Sequence, residues 1–488
     1  ILLHLTSLPG QHGIGSIGEP ARTWLRWLGE SGCGLWQFLP IGPTGYGDSP
    51  YQMLSAFAGN PLLIDLDDLV ERGLLDRAEL SSFDFGDADG VDYATVLETH
   101  GRALNLAADA FRHGQAGSLR PGFEEYKQSH SDWLDDYSLF MALKERHHGL
   151  AWTEWPAPLA RREPAALAQA TDEHRDRIEA HRFIQFLFDL QWECLRTAAA
   201  ESKVTLLGDL PIFVAHDSAD VWSNQSLFKL TEEGRPAAVA GVPPDYFSED
   251  GQLWGVPIYR WEQMAETGFD WWRRRVRRAL SRMDWIRLDH FRGFHAHWEV
   301  PAGSASAREG RWVPGPGLPL FEALVADHGP LPFVAEDLGV ITDQVKSLRH
   351  EIGLPGMKVL QFAFGDDSNN PYLPHNYSRG WVVYTGTHDN NTTSGWYENA
   401  PKNERDFCLR YLGTSGDQIP WDLIRLAWSS VADWAVAPMQ DFLGLGSRAR
   451  MNVPGQSGGN WRWRLSSSQL TTSLANRIRE MNGLYGRA

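Results

Sequence analysis

This chain has few cysteines, no long apolar run and no surplus of positive charge. Each of these absences argues against a class of protein. Its three cysteines, Cys33, Cys194 and Cys408, match no metal-ligand spacing, so we expect reduced thiols in a cytoplasmic protein without a metal site. No apolar stretch is long enough to cross a bilayer, and we recognise no signal-peptide pattern. The formal net charge of −17 argues against nucleic acid as a partner, because phosphates attract cationic surfaces.

Tryptophan is the residue present in unusual number, with 22 copies among 488 residues. Hydrophobic residues make up 42%, which is enough to bury a substantial core. Flat aromatic rings can stack on sugars, but they also pack within cores and between elements. We therefore expect most of the tryptophans to be packing residues and a minority to be available for binding.

The chain alternates short, nearly continuous apolar runs with helical patterns. Such runs are typical of strands covered on both faces, and strand–helix alternation is typical of a parallel sheet. Eight runs predict an α/β fold, the (β/α)8 TIM barrel. They begin at residues 1, 34, 203, 285, 333, 357, 381 and 431. Because Ile1 already lies inside the first run, we expect a short natural N-terminus to be missing.

Residues 1–488 are predicted to form a single catalytic barrel with large, mainly helical insertions at its C-terminal face. The interval between the second and third runs is far longer than a βα unit needs, and residues 62–185 are predicted as a helical insertion between strands 2 and 3. Residues 215–269 are predicted as an insertion between strands 3 and 4. It includes the Pro/Gly-rich "PPDYFSEDGQLWG" (243–255), here called the 250s loop. The basic run at 271–280 is expected to form a solvated helix face.

Three of the apolar runs end on a carboxylate. The segments "WIRLDH", "FVAEDL" and "VVYTGTHD" deliver Asp289, Glu336 and Asp389 at predicted strand ends. The C-terminal ends of barrel strands meet at one mouth, where catalytic residues come from several strands. Acids converging there indicate glycosidic-bond chemistry, which needs a paired acid and nucleophile.

Two of these segments favour separate roles for their acids. Arg287 and Asp289 are two residues apart, so they point to the same side of a strand, and a guanidinium favours the ionised form of a neighbouring carboxylate. Glu336 and Asp337 point to opposite sides, and a Glu among other carboxylates has the raised pKa that a general acid needs. The alternatives are a buried structural ion pair for the first segment and a capping or hinge acid for the second.

A polar run follows the third acid, in "TGTHDNNTTSGWY". His388 and Asp389 could together hydrogen-bond sugar hydroxyls. The alternatives are a core imidazole in an Asx-rich turn or a metal site, for which no second ligand cluster has suitable spacing. Asp209 stands at a fourth strand end, in "GDLPIF", and is expected to shape the site or hold Arg287.

These segments together resemble one family, the 4-α-glucanotransferases called amylomaltase or disproportionating enzyme, in the α-amylase clan. The resemblance covers essentially the whole chain and includes "LHLTSLPGQHGIGSIG", "GDLPIFVAHDSADVW", "IRLDHFRGF" and "NVPG". The combination "GDSPYQ…SAFAGNP" is its most specific part, whereas the lone carboxylate motifs are shared across the clan.

The resemblance implies a role for each acid. Asp289 would be the nucleophile that forms a covalent glucosyl-enzyme, Glu336 the general acid/base and Asp389 the stabiliser of the transition state. Arg287 and His388 match the supporting Arg and His of the clan. The positions that match residues lining the donor and acceptor subsites are Ser49, Tyr51, Asp209, Trp254 and Asp366.

The resemblance also bears on ligands. Tyr46 matches an aromatic residue that the family uses for a second glucan contact away from the catalytic centre. The family needs no organic cofactor and lacks the calcium site of many amylases. Malto-oligosaccharides and α-1,4-glucans are therefore the expected partners, and the sequence leaves the oligomeric state open.

Two other functions stay open at this point. The same three acids with a wetter mouth would make a retaining α-glucan hydrolase, because water would then attack the intermediate in place of a sugar 4-OH. The 250s loop, with Tyr246, Phe247 and Trp254, suits both exclusion of water and binding of an acceptor. A catalytically inactive glucan-binding protein is the third possibility, and the presence of all three acids speaks against it.

Overall fold

The structure is a computed structural model that describes residues 1–86, 90–244, 249–456 and 458–487. It is a mixed α/β fold. The strands are β1 Leu35–Gln37, β2 Thr205–Leu210, β3 Ala238–Val242, β4 Gln252–Pro257, β5 Trp285–Leu288, β6 Ala296–Pro301, β7 Arg311–Pro314, β8 Phe333–Ala335, β9 Gly356–Val359, β10 Trp381–Tyr384 and β11 Trp434–Val436.

Helices fill most of the chain between these strands. Many of them place apolar residues three or four positions apart, so that one face is buried. The α-helices are α1 Glu19–Glu30, α2 Leu66–Glu71, α3 Arg77–Ser81, α4 Tyr93–Arg112, α5 Arg120–Ser129, α6 Ser131–Arg146, α7 Ala157–Ala160, α8 Pro164–Glu173, α9 Arg175–Glu201, α10 Ala219–Ser223, α11 Trp261–Glu266, α12 Asp270–Arg282, α13 Arg292–His295, α14 Leu318–His328, α15 Asp343–Ile352, α16 Thr393–Asn399, α17 Lys402–Leu412, α18 Ile419–Trp428, α19 Met439–Phe442 and α20 Thr472–Tyr485.

Seven strands form two parallel sheets, in the orders β1-β2-β5-β8 and β9-β10-β11. They correspond to seven of the eight predicted runs. The first run forms parallel bridges at Leu2 with Gln37 and Pro438 and is not a regular strand. Between β8 and β9, the N–H of Ala335 donates to the carbonyl of Pro355 at 2.8 Å.

Side chains alternate between two buried clusters along the parallel strands. Leu207 and Val382 belong to the smaller cluster, whereas Leu206 and Val383 belong to the larger one, which also includes the helices. Both faces of these strands are therefore covered, which explains their nearly continuous apolar runs. Asp209 has the same parity as Leu207, so it shares the face of the smaller cluster.

A four-stranded antiparallel sheet, in the order β4-β3-β6-β7, was not predicted from the sequence. Its strands are short, and a register shift interrupts the pairing of β3 with β4. Gly255 adopts a positive φ of 71° inside β4, which breaks the alternation on which strand prediction depends. The sheet carries Trp254 toward the predicted site.

The expectation of a solvated face for the basic run holds only in part, because Arg277 is exposed whereas Arg275 is buried. The run forms part of α12, and Arg275 within it is fully buried between Trp271 and Trp272. Its guanidinium donates to the carbonyls of Ile212 at 3.1 Å and Pro211 at 2.6 Å. The Arg275 guanidinium thus hydrogen-bonds backbone carbonyls just after β2. The pattern of charged residues in the sequence does not reveal such a contact.

Candidate active site

Arg287 lies at the centre of a group of acids. Its Nη1 contacts both carboxylate oxygens of Asp209, at 2.7 and 2.9 Å, and Oδ1 of Asp289 at 3.0 Å. Asp209 and Arg287 are register partners of β2 and β5, so the sheet itself sets this contact. The Asp209 side chain has no exposed surface, whereas that of Asp289 is 26% exposed. Arg287 therefore holds one buried acid and one acid that can reach a ligand.

Glu336 follows β8 and is held by backbone donors. The N–H groups of His290 and Leu338 donate to its two carboxylate oxygens at 2.7 and 3.1 Å. His290, directly after Asp289, adopts a left-handed φ of 50°. Burial raises the pKa of Glu336 to about 8, with Arg287 opposing the shift and Asp289 adding to it. A carboxyl group that stays protonated near neutral pH is suited to donate a proton.

Asp337 points away from this group, as the alternation of the segment predicts. Its carboxylate pairs with Nε of Arg349 in α15 at 3.2 Å and accepts from the N–H of Met357 in β9 at 2.8 Å. Burial raises its pKa to about 6, against the effect of Arg349. Asp337 therefore links a helix to a strand, and Glu336 is the acid of this segment that faces Arg287.

Asp389 is held from two directions. Nε2 of His388 lies 3.4 Å from Oδ2 of Asp389, and Nδ2 of Asn452 donates to Oδ1 at 2.7 Å. The Arg450 guanidinium donates to the backbone carbonyl of Asp389. Burial acts to raise the pKa of Asp389, but His388 and Asn452 outweigh it and lower the pKa. Asp389 is thus kept ionised and oriented.

Tyr51 connects these groups. Its hydroxyl donates to Oδ2 of Asp209 at 2.8 Å and lies 3.4 Å from Nδ1 of His388, with its ring stacked on the imidazole at 5.0 Å. Burial raises the pKa of Tyr51 well above its ordinary value, and Asp209, Asp289 and Asp389 add to the shift. One acid therefore contacts the phenol, and acids from three strand ends raise its pKa. The same burial raises the pKa of Asp209 to about 6, opposed by Arg287.

Trp254 lies against the segment that follows the first acid. Its ring meets His290 edge-to-face at 4.7 Å, and its Nε1 donates to Oε1 of Gln252 at 3.2 Å. Burial lowers the pKa of His290 to about 4. Two other residues of the 250s loop that the sequence singled out, Tyr246 and Phe247, lie outside the described residues.

The other predicted site residues are Ser49, Tyr46 and Asp366. Ser49 is half-buried and accepts a hydrogen bond from the N–H of Tyr51 at 3.3 Å, so it shapes the turn that carries Tyr51. Tyr46 is 78% exposed, and Asp366 is exposed after the turn Leu360–Phe362. In the described part of the chain, no hydrogen bond joins either Tyr46 or Asp366 to the acids.

Sequence reasoning missed the contributions of Asn452 and of the His290 backbone. Asn452 lies 63 residues after Asp389, and the two residues come into contact only in the folded chain. The available signal was the "NVPG" segment, which the sequence places after the last strand without assigning a role to its Asn. Across the described ranges, no group of three or more His, Cys, Asp or Glu could hold a metal ion, and no helix is long and apolar enough to cross a membrane.

Comparison with known proteins assigns the chain to a family. The sequence model of the 4-alpha-glucanotransferases matches residues 3–471. The chain belongs to the 4-alpha-glucanotransferase family. A member from Thermus thermophilus is 50% identical, with 99% of this chain and 97% of that protein aligned. A Synechocystis member is 48% identical, over 100% and 97% of the two chains.

Solved structures agree with this family. An amylomaltase from Streptococcus agalactiae in complex with acarbose has a TM-score of 0.97 at 37% identity, covering 100% of this chain and 99% of its own. The amylomaltase of Corynebacterium glutamicum has a TM-score of 0.79 at 18% identity, covering 100% and 74%, which supports the fold alone. The predicted family is therefore confirmed along the whole chain.

Proposed function

We propose that the chain transfers α-1,4-glucan segments to the 4-OH of an acceptor glucan or glucose by a retaining double displacement. One observation carries the proposal: two carboxyl groups at neighbouring strand ends have different environments. Asp289 contacts the Arg287 guanidinium at 3.0 Å, and its side chain is 26% exposed, so it can reach a ligand. Burial raises the pKa of Glu336 to about 8, so this acid can donate a proton near neutral pH. A nucleophile and a proton donor are the two groups that this mechanism needs.

In the first step, a carboxylate oxygen of Asp289 attacks the anomeric carbon as its bond to the glycosidic oxygen breaks. The proton of Glu336 moves to that oxygen, so the reducing-end part of the donor leaves as an alcohol. In the second step, Glu336, now ionised, takes the proton from an acceptor 4-OH. The acceptor oxygen attacks the anomeric carbon, and the ester to Asp289 breaks. Two inversions give net retention, and both carboxyl groups return to their starting states.

Asp389 acts as the stabiliser in this proposal. Its carboxylate, oriented by His388 and Asn452, would grip ring hydroxyls that shift as the sugar flattens toward the oxocarbenium-like state. Tyr51 and Asp209 would close the donor side of the ring. The remaining proposed substrate contacts are Ser49, Trp254, Asp366 and, away from the centre, Tyr46.

We also propose that the two parallel sheets are parts of one (β/α)8 barrel. The hydrogen bond from Ala335 to Pro355 supports continuity between β8 and β9. Leu2 donates to the carbonyl of Ala437 and Leu3 to that of Gln37, each at 3.0 Å, which supports closure between β11 and β1. In this proposal residues 62–185 and 215–269 are insertions of the single barrel 1–488. The free thiols of its three cysteines support a cytoplasmic location.

Incubation with maltotriose tests the function. Transfer produces glucose and a ladder of longer oligosaccharides, whereas glucose and maltose alone would indicate the hydrolase and overturn the proposal. We expect Asp289→Asn and Glu336→Gln to lower transfer by several orders of magnitude without unfolding the chain. Near-normal turnover in either variant would show that the role assigned to that residue is wrong.

A further inference from the structure

Trp312 is unusual among the tryptophans because its side chain faces outward. It lies in β7 and is 38% exposed, whereas each of the other 21 is buried or half-buried. Exposing a large aromatic ring forgoes the stabilisation of burying it. The location of this ring relative to the acids indicates what it could bind.

Two side chains fix the Trp312 ring. The Arg292 guanidinium lies 3.5 Å from the ring centroid on one face, and Trp298, its register partner in β6, meets it edge-on at 5.1 Å. Nε1 of Trp298 donates to the carbonyl of Ala307 at 2.8 Å. The ring is therefore held in one orientation while part of its surface stays open. Because the side chain is already ordered, a ligand that stacks on it loses little binding free energy to ordering the ring.

Arg292 connects this ring to the catalytic segments. It is three residues after Asp289, and its Nη1 donates to the carbonyl of Val340, four residues after Glu336. Arg292 is 93% buried, since its exposed fraction is 7%. Its Nε is enclosed and has no hydrogen-bond partner among the described residues. A buried guanidinium thus lies between Trp312 and the loops that carry both acids.

The polar groups divide the neighbourhood of the acids into two sides. Tyr51 contacts Asp209 and His388, and His388 contacts Asp389. This group is suited to hold the hydroxyls of the donor sugar. Glu336 protonates the leaving oxygen, so the leaving chain and the later acceptor must lie on its side. The aromatic side chains associated with the segments after Asp289 and Glu336 are Trp254, against His290, and Trp312, against Arg292.

We propose that Trp312 and Arg292 form an outer subsite for the acceptor glucan. A glucose unit beyond the one that receives the bond would stack on the open part of the Trp312 ring, which Arg292 and Trp298 hold in place. The inference rests on the proposed transferase function and adds to it a preference for longer acceptors. The interaction would be stacking of a sugar face on an aromatic ring. Every glucose unit of a malto-oligosaccharide has a face that can stack in this way.

The test varies the acceptor alone. Transfer from amylose at fixed concentration to radiolabelled glucose, maltose, maltotriose and maltotetraose is measured for the wild type and for Trp312→Ala. We expect the KM for glucose to stay within twofold, whereas the KM for maltotriose and maltotetraose rises about three- to tenfold. Trp312→Phe, which keeps a smaller ring, should lie between the two.

Leu484→Ala is the matched control, because Leu484 is an exposed apolar residue of α20. It should change no acceptor KM. Equal rises for all acceptors in Trp312→Ala would show a general structural effect, and unchanged KM values would show that no sugar contacts the ring; either result overturns the subsite. Failure of the wild type to transfer to any acceptor would instead overturn the proposed function itself.

A second readout does not depend on turnover. In a Glu336→Gln background, maltotetraose should quench tryptophan fluorescence more than maltose does. Replacing Trp312 by Phe in that background should remove the extra quenching. Extra quenching that survives the replacement would assign it to another tryptophan and contradict the proposal.

Discussion

Replacing Glu336 by Gln should make the stability of the protein less sensitive to alkaline pH while removing its activity. The folded state raises the pKa of Glu336 from 4.5 to about 8. Between these values the folded chain keeps a proton that the unfolded chain has already lost. Stability therefore falls as pH rises through this window. Above pH 8 the full cost of ionising the buried carboxyl group is present.

The size of this cost follows from the shift. One pKa unit corresponds to about 1.36 kcal/mol, so the cost is a few kcal/mol, with about 5 kcal/mol as an upper limit because Glu336 is only half-buried. Unfolding entropy is about 2.1 cal/mol/K per residue. For a chain of 488 residues, a cost of about 3 kcal/mol lowers the unfolding midpoint by about 3 °C.

The substitution has one effect that is independent of pH. Both oxygens of Glu336 accept backbone N–H groups, from His290 and Leu338, and Gln offers a single acceptor oxygen. That loss lowers stability equally at every pH. The prediction therefore concerns the difference between the midpoints of variant and wild type, which should move by about 3 °C in favour of Glu336→Gln between pH 5 and pH 9.

Thermal unfolding followed by circular dichroism at several pH values measures this difference. Glu98→Gln on the exposed side of α4 is the matched control, and its difference from the wild type should stay constant. A Glu336→Gln difference that is also constant would refute the reasoning. So would a change in the opposite direction, because it would mean that the folded state favours the ionised carboxylate.

Other predictions follow from individual contacts. Tyr51→Phe removes the hydroxyl that donates to Asp209 at 2.8 Å. A hydrogen bond to a charged group contributes about 1.5–3 kcal/mol, so kcat/KM for maltotriose should fall about 10- to 100-fold; an unchanged value would contradict a role for this contact. Asp337→Ala leaves Arg349 buried without its carboxylate and should lower the free energy of unfolding in urea by about 3–5 kcal/mol. Its activity at 25 °C should stay close to normal, and a large loss of kcat in the folded variant would assign Asp337 a chemical role.

Much of the parallel part of the fold could be predicted because its strands are covered on both faces. Segments such as "WIRLDH" therefore stand out as apolar runs that end abruptly on polar residues. The antiparallel sheet could not be predicted in the same way, since Gly255 breaks the alternation inside β4. Arg275 was misjudged because its partners are backbone carbonyls of Pro211 and Ile212, which no pattern of charges reveals.

The candidate site divides along similar lines. Spacing alone pairs Arg287 with Asp289, because residues two apart share a side of a strand. Alternation predicts that Glu336 and Asp337 point to opposite sides, but it does not show which of them faces the site. The contact of Asp337 with Arg349 shows that Asp337 is the structural acid. Asn452 reaches Asp389 from a distant loop, and a single sequence contains no information that joins the two.

Trapping of the covalent intermediate tests the central claim most directly. Glu336→Gln is incubated with α-maltosyl fluoride, whose leaving group needs no proton, and the protein is digested and examined by mass spectrometry. The variant lacks the base for the second step, so a maltosyl group should accumulate on the peptide that contains Asp289. Attachment to another carboxylate, or no attachment while fluoride is released, would contradict a double displacement through Asp289.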